Sequence, residues 1–217
     1  VSKMKKFIFF RSDRLGDFLT LTGILKSIKQ KYKDSHITFV CSPLNYNLVK
    51  YYEEIDSIYI YNKKSSFFKK ISLFRKIIKK SFYCSFAVDG KTFSNLCNFF
   101  ISAKYKFGLV YRSKLYNFWV LKPNILYNFL IFDRFETFTS KKDLKKTEHL
   151  TTKFLKLANV LKLNLKFEDT YYFKPKVKEN INFKNFYKKY IKKDFILIHL
   201  DEKWNDIKLV EKDLTFN

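Results

Sequence analysis

The sequence predicts an α/β fold built on a mostly parallel sheet, and three observations carry that expectation. Apolar runs of strand length alternate with amphipathic helical stretches through the first 110 residues. Of only four glycines in 217 residues, Gly16 and Gly90 stand at or just past the ends of such runs, where backbone leaving a sheet must turn tightly or approach a ligand. The chain also opens on an apolar run that passes through a charged loop, Arg11-Ser12-Asp13-Arg14-Leu15-Gly16-Asp17, into a helical pattern. Polar chemistry then sits where an open parallel sheet keeps its sites.

Residues 6–10 read as the first strand, and 17–32 as a helix with Leu21, Ile24, Leu25 and Ile28 at helical spacing. Residues 36–42 are a second strand, in which Ile37, Phe39 and Cys41 alternate with Thr38 and Val40. A helix over 45–54 leads to a strand at 57–61. A helix at 66–80, rich in lysine on its wet side, leads to a fourth strand at 83–88 that ends on Asp89-Gly90. A helix at 93–103 precedes a short strand at 106–110 containing Gly108. Strand and helix alternating in this way place helices on both faces of the sheet.

Residues 111–140 break the rhythm. Tyr116, Phe118, Trp119, Tyr127, Phe129 and Phe132 crowd between Lys114 and Arg134. The stretch reads either as an aromatic-rich helical excursion packed on the sheet or as an interfacial patch at lipid head-group depth. Helical periodicity returns over 141–163, residues 174–185 resemble a linker, and 195–200 form a buried-type strand.

The formal net charge is +24, yet lysine supplies all but five of the 44 basic residues. Lysine abundance alongside many Phe, Tyr, Ile and Asn and few glycines is also what codon drift toward A/T produces. The charge therefore supports three readings: drift, an anionic membrane or phosphorylated substrate, and a basic nucleic-acid-binding module. The last lacks a recognisable nucleic-acid motif, and its lysines are scattered over many helices, so no specific nucleic-acid partner is expected. No Gly-x-Gly-x-x-Gly and no Gly-x-x-x-x-Gly-Lys-Ser/Thr occurs, which disfavours a dinucleotide oxidoreductase and a P-loop nucleotidase. Cys41, Cys84 and Cys97 show neither disulfide nor metal spacing, and His36 and His149 lack metal-ligand partners, so no metal site is expected. The first apolar run stops at Arg11, too short for a signal-peptide core, and no apolar stretch reaches membrane-spanning length. The expected location is cytoplasmic, with peripheral contact to the inner face of the membrane left open.

Asp17, at the expected helix start, has two roles open to it. An aspartate there caps orphan backbone N–H groups and suits the positive end of the helix dipole. Beside Arg11 and Arg14 it is also a candidate general base, and the same cations could hold a phosphate or acidic sugar. Asp13 reads as the ion-pair partner that orders the two arginines. Lys91, Thr92 and Ser94, following Asp89-Gly90, are candidates to line the same cleft.

The stretch Phe10-Arg11-Ser12-Asp13-Arg14-Leu15-Gly16-Asp17-Phe18-Leu19-Thr20-Leu21-Thr22 resembles the opening signature of the family-9 glycosyltransferases, the ADP-heptose:lipopolysaccharide heptosyltransferase-like group. Residues 36–43, Phe86-Ala87-Val88-Asp89-Gly90, Lys106-Phe107-Gly108, and Glu148-His149 at a helix start follow in the family's order. The resemblance is good over 5–110 and loose over 145–200. It implies the N-terminal portion of a GT-B enzyme with two Rossmann-like domains, the first for the acceptor and the second for the nucleotide-sugar. It further implies inverting, metal-independent transfer of a heptose or similar sugar to a lipopolysaccharide-type or other surface glycan, with Asp17 as base. Arg11, Asp13, Arg14, Gly16, Asp89 and Gly90 become substrate-binding candidates, and Lys203 a phosphate contact. No cofactor is implied: the nucleotide-sugar, ADP-linked, is a substrate, the acceptor is lipid-linked, and a monomer is expected. Two departures stand out. Gly23 occupies a position where the family commonly has proline, and His199-Leu200-Asp201-Glu202-Lys203-Trp204 replaces a His-Pro-Gly-like loop. The expected domains are 1–175, acceptor-binding; 176–193, linker and helix; and 194–217, the start of a truncated nucleotide-sugar domain. A non-catalytic relative that binds glycan or membrane is the alternative.

Overall fold

The computed structural model describes residues 4–12, 15–112, 131–139, 150–169 and 172, all within a compact unit that spans Val1–Lys176. Its centre is a six-stranded sheet: β1 (Lys5–Phe10), β2 (Ser35–Cys41), β3 (Ser57–Ile60), β4 (Ser81–Ala87), β5 (Ser102–Arg112) and β6 (Arg134–Thr139). The spatial order is β3-β2-β1-β4-β5-β6, and every neighbouring pair is parallel. From β1 the chain builds outward to β3, then crosses back to place β4 on the other side of β1. The topological switch point therefore lies between β1 and β4.

The helices are α1 (Leu15–Leu19), α2 (Thr22–Lys31), α3 (Pro43–Val49), α4 (Phe67–Ile78), α5 (Thr92–Phe100) and α6 (Leu150–Asn159). Strand residues of alternating parity feed two cores. Phe7, Phe9, Ile37 and Phe39 pack with Phe18 of α1, Leu25 of α2, Val49 of α3 and Phe154 of α6. Ile8, Phe10 and Val40 pack with Ile77 of α4 and Cys97 of α5 on the opposite face. Both faces are covered, which is why the strands read as nearly continuous apolar runs.

One core carries a row of phenylalanines in register. Phe39, Phe9, Phe86 and Phe107 are partners on β2, β1, β4 and β5. Phe9 stacks on Phe86 with centroids 4.5 Å apart and on Phe39 at 6.4 Å, and Phe86 meets Phe107 at 5.1 Å. Each such pair contributes about 0.5–1.5 kcal/mol beyond area burial.

The structure departs from the sequence expectation at several elements: the helix expected over 45–54 is Pro43–Val49, the strand expected at 106–110 runs Ser102–Arg112, and three further differences have a local cause. The helix expected over 17–32 is two helices. Thr20 Oγ1 donates to the Asp17 carbonyl and Thr22 Oγ1 to the Leu19 carbonyl, both at 2.7 Å. These side chains compete with the helix's own donors and let the chain break and restart. The helix expected to reach 103 ends at Phe100, because Ile101 is extended (ψ 140°) and Ser102 already pairs with Ser81. Finally, Arg134–Thr139, within the expected helical excursion, forms β6 against the whole outer half of β5. That run is rich in β-branched and aromatic residues, but a strand pattern this short is settled by the partner it finds. The aromatics of 113–130, the linker and the second domain lie outside the described residues.

Gly90 has φ 62°, the left-handed region that favours glycine, and turns the chain out of β4. Gly16 does not make the expected turn: α1 already begins at Leu15, and a Cβ on Gly16 would meet nothing within 4 Å. Gly108 serves packing, since a Cβ there would overlap the buried Phe132 ring. Gly108→Ala should therefore lower stability by about 1–3 kcal/mol, measured by urea unfolding. All three cysteines are free and buried, and burial pushes the Cys41 thiol up to about 12. A raised pKa keeps it protonated at neutral pH, so thiol reagents should label the folded protein only as fast as it opens.

Candidate functional site

Arg11 follows directly from β1, wedged between the ends of β2 and β4. Its backbone N–H donates to the Val40 carbonyl at 3.0 Å, and the Val88 N–H donates to the Phe10 carbonyl at 3.2 Å. The side chain is only 3% exposed, so a full positive charge lies inside the protein. Desolvating such an ion costs several kcal/mol unless it is well partnered. The guanidinium donates to the Val88 carbonyl, pairs with Asp17 Oδ1 at 3.0 Å, and lies 5.1 Å from the centroid of the Phe154 ring. Asp17 sits in the first turn of α1 and keeps a third of its side-chain surface exposed. One end of the pair is thus fixed in the protein and the other reaches solvent.

Asp89, just past β4, is almost completely buried. Its Oδ2 accepts hydrogen bonds from Ser12 Oγ at 2.8 Å, Ser94 Oγ at 2.9 Å and the Ser12 N–H at 3.3 Å. Its Oδ1 accepts from the Lys91 N–H at 3.1 Å. Lys91 Nζ returns to the Ser12 carbonyl at 2.7 Å and Ser12 Oγ at 3.1 Å. The loops after β1 and β4 are thereby tied across the switch point. This network occupies Asp89, Lys91 and Ser94 in holding the loop.

Two further contacts were not anticipated. Asn45 Nδ2 donates to the Arg11 carbonyl at 3.0 Å, while Asn45 Oδ1 accepts from the Ser42 N–H at 2.8 Å. Ser42-Pro43 was a readable helix start, with proline at the first helical position, but the reach of Asn45 to Arg11 was not. Tyr61, after β3, stacks on Phe93 of α5 with centroids 4.0 Å apart. Burial first, and then the Asp89 charge, push the Tyr61 hydroxyl pKa up.

The carboxyl edge of the sheet thus brings together Arg11, Asp17, Asp89 and Gly90, with Gly16 beside Asp17 facing open space. Asp13, Arg14, Lys203 and His149 lie outside the described residues. His36 pairs with Ser57 through Nε2 and Oγ at 2.9 Å, far along the sheet from this edge. Among the described residues no group of three or more His, Cys, Asp or Glu side chains could hold a metal ion. A groove of about 910 Å³ opens at the opposite, amino edge, lined in part by Lys5, Lys6, Lys79, Lys80 and Lys104. None of its lining residues is a carboxylate, whereas the carboxyl edge presents the part-exposed Asp17 held by Arg11.

No protein-family model matches the sequence, and no curated protein matches it. Solved structures do match its fold. Glycosyl transferase family 9 from Veillonella parvula superposes with a TM-score of 0.58 at 16% identity, over 87% of this chain and 51% of that one. E. coli ADP-heptose LPS heptosyltransferase II gives 0.55 at 12% identity, over 86% and 51%. E. coli heptosyltransferase WaaC with ADP gives 0.50 at 12%, over 71% and 47%. The chain spans about half the length of these structures, and at such identities the likeness is one of fold. That fold is the parallel α/β sheet these GT-B glycosyltransferases also contain.

The Asp89 network generates a stability prediction. Asp89→Ala removes the acceptor for two hydroxyls and two backbone N–H groups inside the protein, which should cost about 2–4 kcal/mol in denaturant unfolding.

Proposed function

We propose that this chain is the acceptor-side domain of an inverting glycosyltransferase that uses a nucleotide-sugar, ADP-linked, and a lipid-linked glycan acceptor of the lipopolysaccharide type. The observation that carries the reading is the Arg11–Asp17 pair at the switch point, a carboxylate anchored on a buried guanidinium yet open to solvent. It is supported by the fold shared with the family-9 and heptosyltransferase structures.

In this reading a heptose or similar sugar is transferred. The acceptor hydroxyl approaches Asp17, its oxygen attacks the anomeric carbon, and its proton passes to the Asp17 carboxylate. The bond to the departing nucleoside diphosphate breaks on the opposite face, giving inversion. Arg11 orients the base through its hydrogen bonds. Arg14 and Asp13 belong to the same loop and are proposed to shape the acceptor site, together with the open space beside Gly16. Lys203 is proposed as a donor-phosphate contact. Asp89 and Gly90 support the site from below, the first as a positioning residue through Ser12. Among the described residues no helix is long and apolar enough to cross a membrane.

Asp17→Asn is the informative variant, because the amide oxygen can still accept from Arg11 while losing basicity. Assayed as ADP release from ADP-heptose in the protein that carries this chain, it should lose about 10²–10⁴-fold in turnover. The neutral amide compensates the buried Arg11 charge less well, so the melting temperature should fall, and turnover is read well below it, where circular dichroism matches the parent. Turnover near the parent level would remove Asp17 as the base.

A further inference from the structure

The most exposed large apolar side chains among the described residues are Phe68 (81%), Leu44 (74%) and Phe67 (70%). Phe67 and Phe68 are consecutive, in the first turn of α4, and touch edge to face at 6.3 Å. Many phenylalanines are fully buried, among them Phe7, Phe9, Phe10, Phe18, Phe39, Phe86, Phe107 and Phe154; Phe99, Phe100 and Phe167 are exposed as well, but less than Phe67 and Phe68. Codon drift explains many phenylalanines and many lysines, but it does not explain turning two adjacent rings outward at a helix tip.

Their setting is strongly cationic. Lys63 and Lys64 precede them in the loop, and Lys69 and Lys70 follow on α4. The sequence contains no aspartate or glutamate from residue 57 to residue 88, while this stretch holds eight lysines and arginines. Exposed aromatics flanked in the chain by lysines match the two forces that hold a protein on an anionic bilayer: ring burial at head-group depth and attraction to lipid phosphates. A second copy of the chain is a poor occupant, since it would bring like charges together.

The patch is also placed with the candidate site. In a parallel sheet every strand delivers its next helix at the carboxyl edge, so α4 begins on the same edge as Arg11 and Asp17. Leu44, at the start of α3, and Leu15 (48%), at the start of α1, are exposed on that edge too. The Tyr61–Phe93 stack ties the loop that leads to Phe67 to the start of α5, beside the Asp89–Lys91 turn.

We propose that the loop 61–66 and the first turn of α4 form a docking surface for an anionic lipid bilayer, with Phe67 and Phe68 inserted among the head groups, so that the Asp17 edge faces the membrane. Co-sedimentation of the full chain with phosphatidylglycerol-containing vesicles tests it, with phosphatidylcholine vesicles as the neutral control. The parent should bind the anionic vesicles and lose binding as salt is raised. F67S/F68S and, separately, K63Q/K64Q/K69Q/K70Q should each weaken partitioning at least tenfold while melting like the parent. In a third variant, F68W, the added fluorescence should be quenched by lipids brominated in the acyl chain. Unchanged partitioning of F67S/F68S overturns the proposal. So does a parent that ignores vesicles but forms a dimer, or binds single-stranded oligonucleotide, through the same phenylalanines. Neither donor nor acceptor enters the measurement, so its failure would leave the transferase reading untouched.

Discussion

The rest of the structure depends on β1 being held between β2 and β4. Phe9 does most of this, stacked on Phe39 to one side and on Phe86 to the other. Removing a buried phenylalanine costs about 3–5 kcal/mol, a large share of the stability of an ordinary domain. Once β1 is fixed there, the switch point is fixed. The loops after β1 and β4 must leave side by side at the carboxyl edge, and the gap between them is where polar groups gather.

The polar network is a consequence of that packing. A buried guanidinium is tolerated because a carbonyl, a carboxylate and an aromatic ring surround it, drawn from β4's end, α1 and α6. Asp89 is tolerated because two hydroxyls and two backbone N–H groups meet it. Both charges sit at the junction of β1 and β4, yet they do different work. Asp89 faces inward and locks the loop, whereas Asp17 stays partly in water. That difference in exposure is why the proposed function places the base at Asp17 and gives Asp89 a supporting place.

The same topology links the candidate site to the exposed aromatic rim. Helices α1, α3 and α4 all begin where strands end, so their first turns lie on the same edge of the sheet as the candidate site. Exposed apolar side chains stand on those turns, with lysines beside the Phe67–Phe68 pair on α4. Lys63, Lys64, Lys69 and Lys70, in a stretch without acidic residues, are a better indicator than the total of +24; Lys79 and Lys80 of the same stretch line the groove at the amino edge.

The sequence by itself determined the parallel α/β class, five of the six strands, and the place of the Arg11–Asp17 loop at the end of the first strand, because these rest on local periodicity and nearest-neighbour chemistry. It did not determine β6, the break of the first helix at Thr20, or the true end of α5. Those depend on a strand partner or a side-chain hydrogen bond that forms only in context. The sequence reading set Asp17, a cap or candidate base beside Arg11, apart from Asp89, a candidate substrate contact. Only the tertiary structure showed that Ser12 and Ser94 bury Asp89 in a loop-holding network while Asp17 stays partly in water. The outward turn of Phe67 and Phe68 was equally hidden, since a phenylalanine at helical spacing reads as core until the sheet shows which way its helix faces.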